Sequence, residues 1–195
     1  MGDFFERIVD VDVAAEEAEA FAARTIDWLV ADGLLLPHTT TEGVFSLGAH
    51  EGHLPGPHWA RITENDLWEP GPVAVLTGRG HHVGGQGTDE PEWVACPRCR
   101  RKTTVIDYPE RCAPDERVWA PFRAAVADWE QTGSGSAPCP ACGALVPVTE
   151  WEFDSSYALG ALAFDFWNWP QLTEEFHAEF ARRLGHRTVT QPGKF

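Results

Sequence analysis

The chain has 195 residues with 15 Lys and Arg against 30 Asp and Glu, a formal charge of −15 and an isoelectric point near 4.8. That balance disfavours nucleic acid and anionic membrane surfaces as partners, because both are held by concentrated positive charge. A composition of 43% hydrophobic and 11% aromatic residues excludes the disordered class and is enough for a sizeable core.

From the N-terminus, Met1 to Arg7 is acidic where a signal peptide would be basic, and no apolar run approaches the roughly 18 to 20 residues of a membrane span. A cytoplasmic protein is the expectation. Val9, Val11 and Val13 alternate with Asp10 and Asp12, the period-two mark of a short strand. Asp12 is placed to cap a helix whose face carries Ala18, Phe21, Thr25, Trp28 and Leu29, and Gly33 is placed to end it. Leu34 to Leu36, Val44 to Leu47 and Val73 to Leu76 read as short apolar strands. Gly78 to Gly87 matches no phosphate-binding motif and reads as a hairpin or loop.

Beyond the middle of the chain, Tyr157 to Trp169 reads as a buried strand. Thr173 then caps a helix with Phe176, Phe180 and Leu184 on one face, Gly185 closes it, and Thr188 to Gln191 forms a last strand. Each half therefore gives strand, amphipathic helix, strand. The simplest assembly is an α+β, ferredoxin-like sandwich of four or five strands and two helices, formed by residues 1–90 and 151–195.

Residues 91–150 differ in composition and read as an insert. They hold all five cysteines and a Gly133-Ser134-Gly135-Ser136 joint expected to be flexible. Charge is uneven as well: residues 1–95 carry −13, residues 96–123 carry +3 and residues 124–195 carry −5. Within the insert, Cys96-Pro97-Arg98-Cys99 and Cys139-Pro140-Ala141-Cys142-Gly143 are two C-x-x-C pairs, the spacing that lets two thiolates of one tight turn reach a single cation. The segment resembles the zinc ribbon, whose knuckles read C-P-x-C-G. It departs from that pattern in having Arg100 where the first knuckle would have Gly, and in a spacer of 39 residues from Arg100 to Pro138. A spaced set of Val118, Phe122, Val126 and Trp129 predicts a small helix inside that spacer. The expectation is a structural zinc held by Cys96, Cys99, Cys139 and Cys142; two disulfides or a redox pair are the competing readings. Cys112 is the odd thiol and reads as a small packed side chain. Arg98, Arg100, Arg101 and Lys102 read as offsetting the −2 charge of zinc with four thiolates, with contact to nucleic acid or to an acidic surface as alternatives.

Six of the eight histidines lie in residues 38–82. His50, His53 and His58, with His81 and His82, could build an open second metal site and make the protein a metal-dependent enzyme. Against this, His50-Glu51-Gly52-His53 is one residue short of H-E-x-x-H, and a solvated loop also accounts for these histidines. No nucleophile elbow or carboxylate pair marks a catalytic residue. Trp167 and Trp169 read either as core or, if exposed, as a partner-binding surface by strand alternation. The sequence thus favours a non-catalytic, immunity- or adaptor-like interaction module with a structural zinc and a protein partner of basic character.

Overall fold

In the computed structural model, residues 3–84 and 89–194 are described. The Gly85 to Gly87 part of the glycine-rich stretch lies outside them. The chain is mixed α+β, with a mostly antiparallel main sheet and three α-helices among the described residues. It divides into two compact units, residues 1–78 with 160–195, and residues 79–159.

The first unit opens with β1 (Phe4–Asp10), which begins earlier than the valine alternation implies. Asp10 ends it, its Oδ1 accepting the amide hydrogens of Asp12 and Val13 at 3.0 Å each. That turn takes the place of the expected helix cap, and Asp12 instead pairs with Arg187. Helix α1 (Ala18–Ala31) follows and ends at Gly33, whose φ of 70° is the left-handed value that favours glycine. Then come β2 (Leu35–Thr40), β3 (Gly52–Pro55) and β4 (Val73–Val83). Val44 to Leu47 is not a strand; β3 instead forms in the His-, Gly- and Pro-rich segment, where the composition predicts a loop. β4 runs on through Gly78 to His82, because strand pairing rather than side-chain patterning fixes its length.

After the second unit, the chain returns along β10 (Tyr157–Trp167), enters α3 (Glu174–Leu184) and ends in β11 (Thr188–Lys194). Thr173 caps α3, its hydroxyl accepting the Phe176 amide hydrogen at 3.2 Å, and Gly185 closes it at φ 75°. The main sheet has six strands in the order β11-β1-β10-β4-β3-β2. β1 pairs antiparallel with both β10 and β11, with Ile8 opposite Phe164 and Arg7 opposite Asp165. One face carries Ile8, Leu162, Phe164 and Phe166 and buries them against Leu29 of α1 and Phe176, Phe180 and Leu184 of α3. The other face carries Phe5, Ala74 and Trp167, packed under Val44 and Ala49 of the loop between β2 and β3.

In the second unit, β5 (Trp93–Ala95) and β6 (Lys102–Thr104) form one hairpin, and β7 (Ser136–Pro138) and β8 (Leu145–Pro147) form another. β9 (Glu152–Phe153) pairs with β5. Helix α2 (Glu116–Thr132), the one expected in the spacer, buries Trp119, Phe122, Val126 and Trp129 against Val94, Val146, Val148, Trp151 and Tyr157. In the Gly133 to Ser136 joint, Gly135 is half-buried and the other three residues are exposed. Gly133 caps α2 at φ 81°, and a Cβ at position 135 would sit 1.8 Å from the Ala125 carbonyl oxygen.

Candidate metal centre

The two hairpins of the second unit each carry one C-x-x-C pair in their loop, and the two loops share one backbone design. In the first, the Cys96 amide hydrogen bonds the Arg101 carbonyl at 3.0 Å and the Arg100 amide returns to the Cys96 carbonyl at 2.8 Å. In the second, Cys139 donates to Ala144 and Gly143 donates to Cys139, both at 2.8 Å. The residue after each second cysteine is left-handed, Arg100 at φ 62° and Gly143 at φ 73°. Proline after the first cysteine fixes φ on entry to each loop, and the left-handed residue turns the chain back to its own strand.

These loops bring four sulfurs together. The Sγ atoms of Cys96, Cys99, Cys139 and Cys142 all lie within 4.8 Å of one another, and the Cys99 and Cys139 sulfurs are 3.8 Å apart. A tetrahedron of metal–sulfur bonds of about 2.3 Å has edges of about 3.8 Å, so the donor set fits one tetrahedral cation. The first cysteine of each loop, Cys96 and Cys139, is buried, Cys99 is half-buried and Cys142 is exposed. All four are free thiols, and Cys112, also free, is exposed rather than packed.

Cys139 and Cys142 are shifted in opposite directions. Burial works against the Cys139 thiolate, yet the amides of Cys142 and Ala141 and the thiols of Cys142 and Cys96 donate to it and bring its pKa down to about 7. Cys142 has the Ala144 amide in its favour, but as donor to Cys139 it is pushed up to about 11, with burial and its thiol bonds to Cys99 and Cys96 acting the same way. Metal binding at such a cluster requires the thiols to give up their protons.

The basic run has more varied uses than charge offset. Arg98 reaches Glu150 at 3.2 Å, and the Lys102 ammonium lies 3.6 Å from the centre of the Trp93 ring. Among the described residues, neither Arg100 nor Arg101 has an ion pair, and both are exposed.

His53 stands on β3, where its Nδ1–H donates to the Leu36 carbonyl at 3.1 Å; His58 donates likewise to Asp32 at 3.0 Å, and His50 is exposed in the preceding loop. His81, on β4, holds Glu130 of α2 at 2.7 Å and stacks on Tyr157, whose hydroxyl is kept well above its ordinary pKa first by burial and then by Glu130, Glu90 and Asp89. His82 is buried on the same strand. Among the described residues, the four cysteines are the one group of three or more His, Cys, Asp or Glu close enough to hold an ion.

Trp167 and Trp169 are both core, 0% and 2% exposed. Alternation would have put them on one face, but Asn168 between them is left-handed at φ 54°, which sends Trp167 to the Phe5 cluster and Trp169 to the helix-covered side. Among the described residues of this unit, the exposed aromatic rings are instead Phe45 and Trp68, which no strand or helix periodicity singles out. A buried polar group also escaped sequence reading. Arg7 grips Asp165 with two bonds of 2.5 and 2.8 Å, the Ser46 hydroxyl donates to the same carboxylate at 2.5 Å, and Trp167 Nε1 donates to Ser46 at 2.8 Å.

No helix among the described residues is long and apolar enough to cross a membrane. Compared with protein-family models, with curated proteins and with solved structures, the chain matches none.

Proposed function

We propose that the four cysteines hold a structural zinc ion and that the protein is a non-catalytic, cytoplasmic interaction module of the adaptor or immunity type. The observation that carries the metal reading is the convergence of four sulfurs within 4.8 Å from two hairpin loops. Four thiolates in a tetrahedron suit zinc, and four protein ligands leave no open position for a substrate, which is the arrangement of a structural rather than a catalytic ion. The matched pair of hairpin loops supports reading residues 91–150 as a zinc ribbon with a helix in its spacer. The strand order β11-β1-β10-β4, with α1 and α3 on one face, supports a ferredoxin-like core extended at one edge by β3 and β2. A protein partner of basic character is the reading that the −15 charge supports, since opposite charge speeds encounter.

Elemental analysis of the full chain, purified without added metal, tests the first part. One zinc per chain, retained through mild chelation and lost in Cys96→Ser with Cys139→Ser, is the expected result; no metal, or iron with thiolate-to-iron absorption, overturns it. Affinity capture tests the second part, and recovery of no partner counts against it.

A further inference from the structure

Four of the large apolar side chains that stand in solvent gather at one end of the main sheet. Phe45 is 44% exposed, Leu47 86%, Leu67 77% and Trp68 43%. The first two come from the loop between β2 and β3, the other two from the segment that leads into β4. Both pieces are seated on the end of β10. The Phe45 ring meets Trp167 edge-on at 5.3 Å, while the Trp68 indole N–H donates to the Asn168 carbonyl at 2.9 Å and its ring meets Phe4 edge-on at 6.0 Å. The two segments also abut, since a Cβ at Gly43 would lie 3.4 Å from the Pro72 ring. Phe45 and Trp68 are therefore held at neighbouring positions of the β10 end, Trp167 and Asn168, and with Leu47 and Leu67 beside them in the chain they leave apolar area in solvent of the sort that marks interaction sites.

Its charge is one-sided. The same two segments carry Glu42, Glu51, Glu64, Asp66 and Glu69, all exposed, and between Arg24 and Arg79 the only Lys or Arg in the sequence is Arg61. Among the described residues, none of these five carboxylates is in an ion pair with Lys or Arg. A self-complementary pairing of two copies would set these carboxylates against each other, and an anionic lipid surface would be repelled for the same reason.

We propose that Phe45, Leu47, Leu67 and Trp68 form a docking surface for a cationic, amphipathic segment of a partner protein, whose apolar side chains cover the patch while its Lys or Arg side chains meet the carboxylate rim. This rests on the interaction-module reading and adds where the partner sits and what chemistry it has. The zinc site has no part in it, so each can fail alone.

The test titrates the full, isotope-labelled chain with a synthetic amphipathic Leu/Lys peptide, against a Leu/Glu peptide of equal length. Saturable, salt-sensitive binding of the first peptide alone is expected, with amide shifts concentrated in residues 42–51 and 64–69. Leu47→Ser with Leu67→Ser, both at highly exposed positions and so harmless to folding, weakens binding by about tenfold or more. Glu64→Lys with Glu69→Lys weakens it similarly and flattens the salt dependence. Zinc content stays the same in every variant. The proposal is overturned by absence of binding, by equal binding of the Leu/Glu peptide, by unchanged affinity of the leucine variant, or by self-association of the free protein that the leucine variant abolishes. Shifts that map elsewhere overturn this site while leaving the module reading intact.

Discussion

The two compact units solve the same problem of stability by different means. The first has a large aromatic core between its sheet and two helices, and within it can bury charge: Arg7, Asp165 and Ser46 satisfy one another across β1, β10 and the loop before β3. The second has short strands of two or three residues beyond its one helix, and its two hairpins meet at four sulfurs. Short hairpins bury too little to be stable alone, and in the second unit they are backed by the aromatic face of α2 and converge on four cysteines positioned to hold one cation. The comparison teaches that the cysteines are placed where secondary structure is thinnest.

Disrupting the four-cysteine cluster should break the comparison most severely. Structural zinc contributes on the order of 10 to 16 kcal/mol in small metal-dependent folds, so Cys96→Ser with Cys139→Ser should abolish amide-exchange protection in both hairpins. Protection of β1, β10 and β11 in the same sample reports whether the first unit stands without it. Cys142→Ser, at the exposed ligand, should weaken metal binding with less loss of protection than Cys96→Ser.

Next in size is the buried pair of the first unit. Arg7→Leu leaves the buried Asp165 carboxylate with the neutral Ser46 hydroxyl as its remaining partner of the trio, and should cost about 3 to 5 kcal/mol in urea unfolding. Arg7→Leu with Asp165→Leu should recover much of that loss, because no uncompensated charge remains. Neither variant should alter metal content.

A smaller effect separates the two hairpin loops themselves. They share hydrogen bonds and a left-handed residue, but one has Gly143 and the other Arg100. Arg100→Gly should stabilise the second unit by up to about 1 kcal/mol, and Gly143→Ala should destabilise it by about the same amount. Thermal unfolding of the metal-loaded protein reads both.

The smallest effect is a pH dependence confined to the first unit. The Glu6 carboxylate, 2.7 Å from His177 Nε2, holds that imidazole above its ordinary value of about 6.5, against the opposing influence of burial. A histidine raised in the folded state adds stability that is fully present below the unfolded value and is lost as pH rises through the folded one. Urea midpoints should therefore fall as pH rises from just above 6 toward neutrality and beyond, and Glu6→Gln should flatten that slope.

Much of the local structure was legible from residues alone. Thr173 and Gly185 bracket α3, Gly33 ends α1, and the apolar spacing of Val118 to Trp129 is α2, because caps and helical periodicity are encoded within a turn or two of chain. The four-cysteine cluster was legible too, since two loops with the same C-P-x-C spacing point to one shared site. What failed did so where distant chain decides. β3 forms from Gly52-His53-Leu54-Pro55 because β4 and β2 supply its partners on either side. Trp167 and Trp169 part company because Asn168 turns left-handed, with its backbone N–H on the Phe4 carbonyl and its side chain on Phe4 and Asp3.

By itself, then, the sequence determined the helices, the pairing of four cysteines and the excess negative charge, all of which follow from residue type and short-range spacing. Only the tertiary structure decided which aromatic rings are wet, that Arg7 and Asp165 face each other across neighbouring strands, and that Phe45 and Trp68 are seated on the successive residues Trp167 and Asn168. Those depend on strand register and on where loops land, and pairing between residues more than a hundred positions apart leaves no mark in either segment read alone.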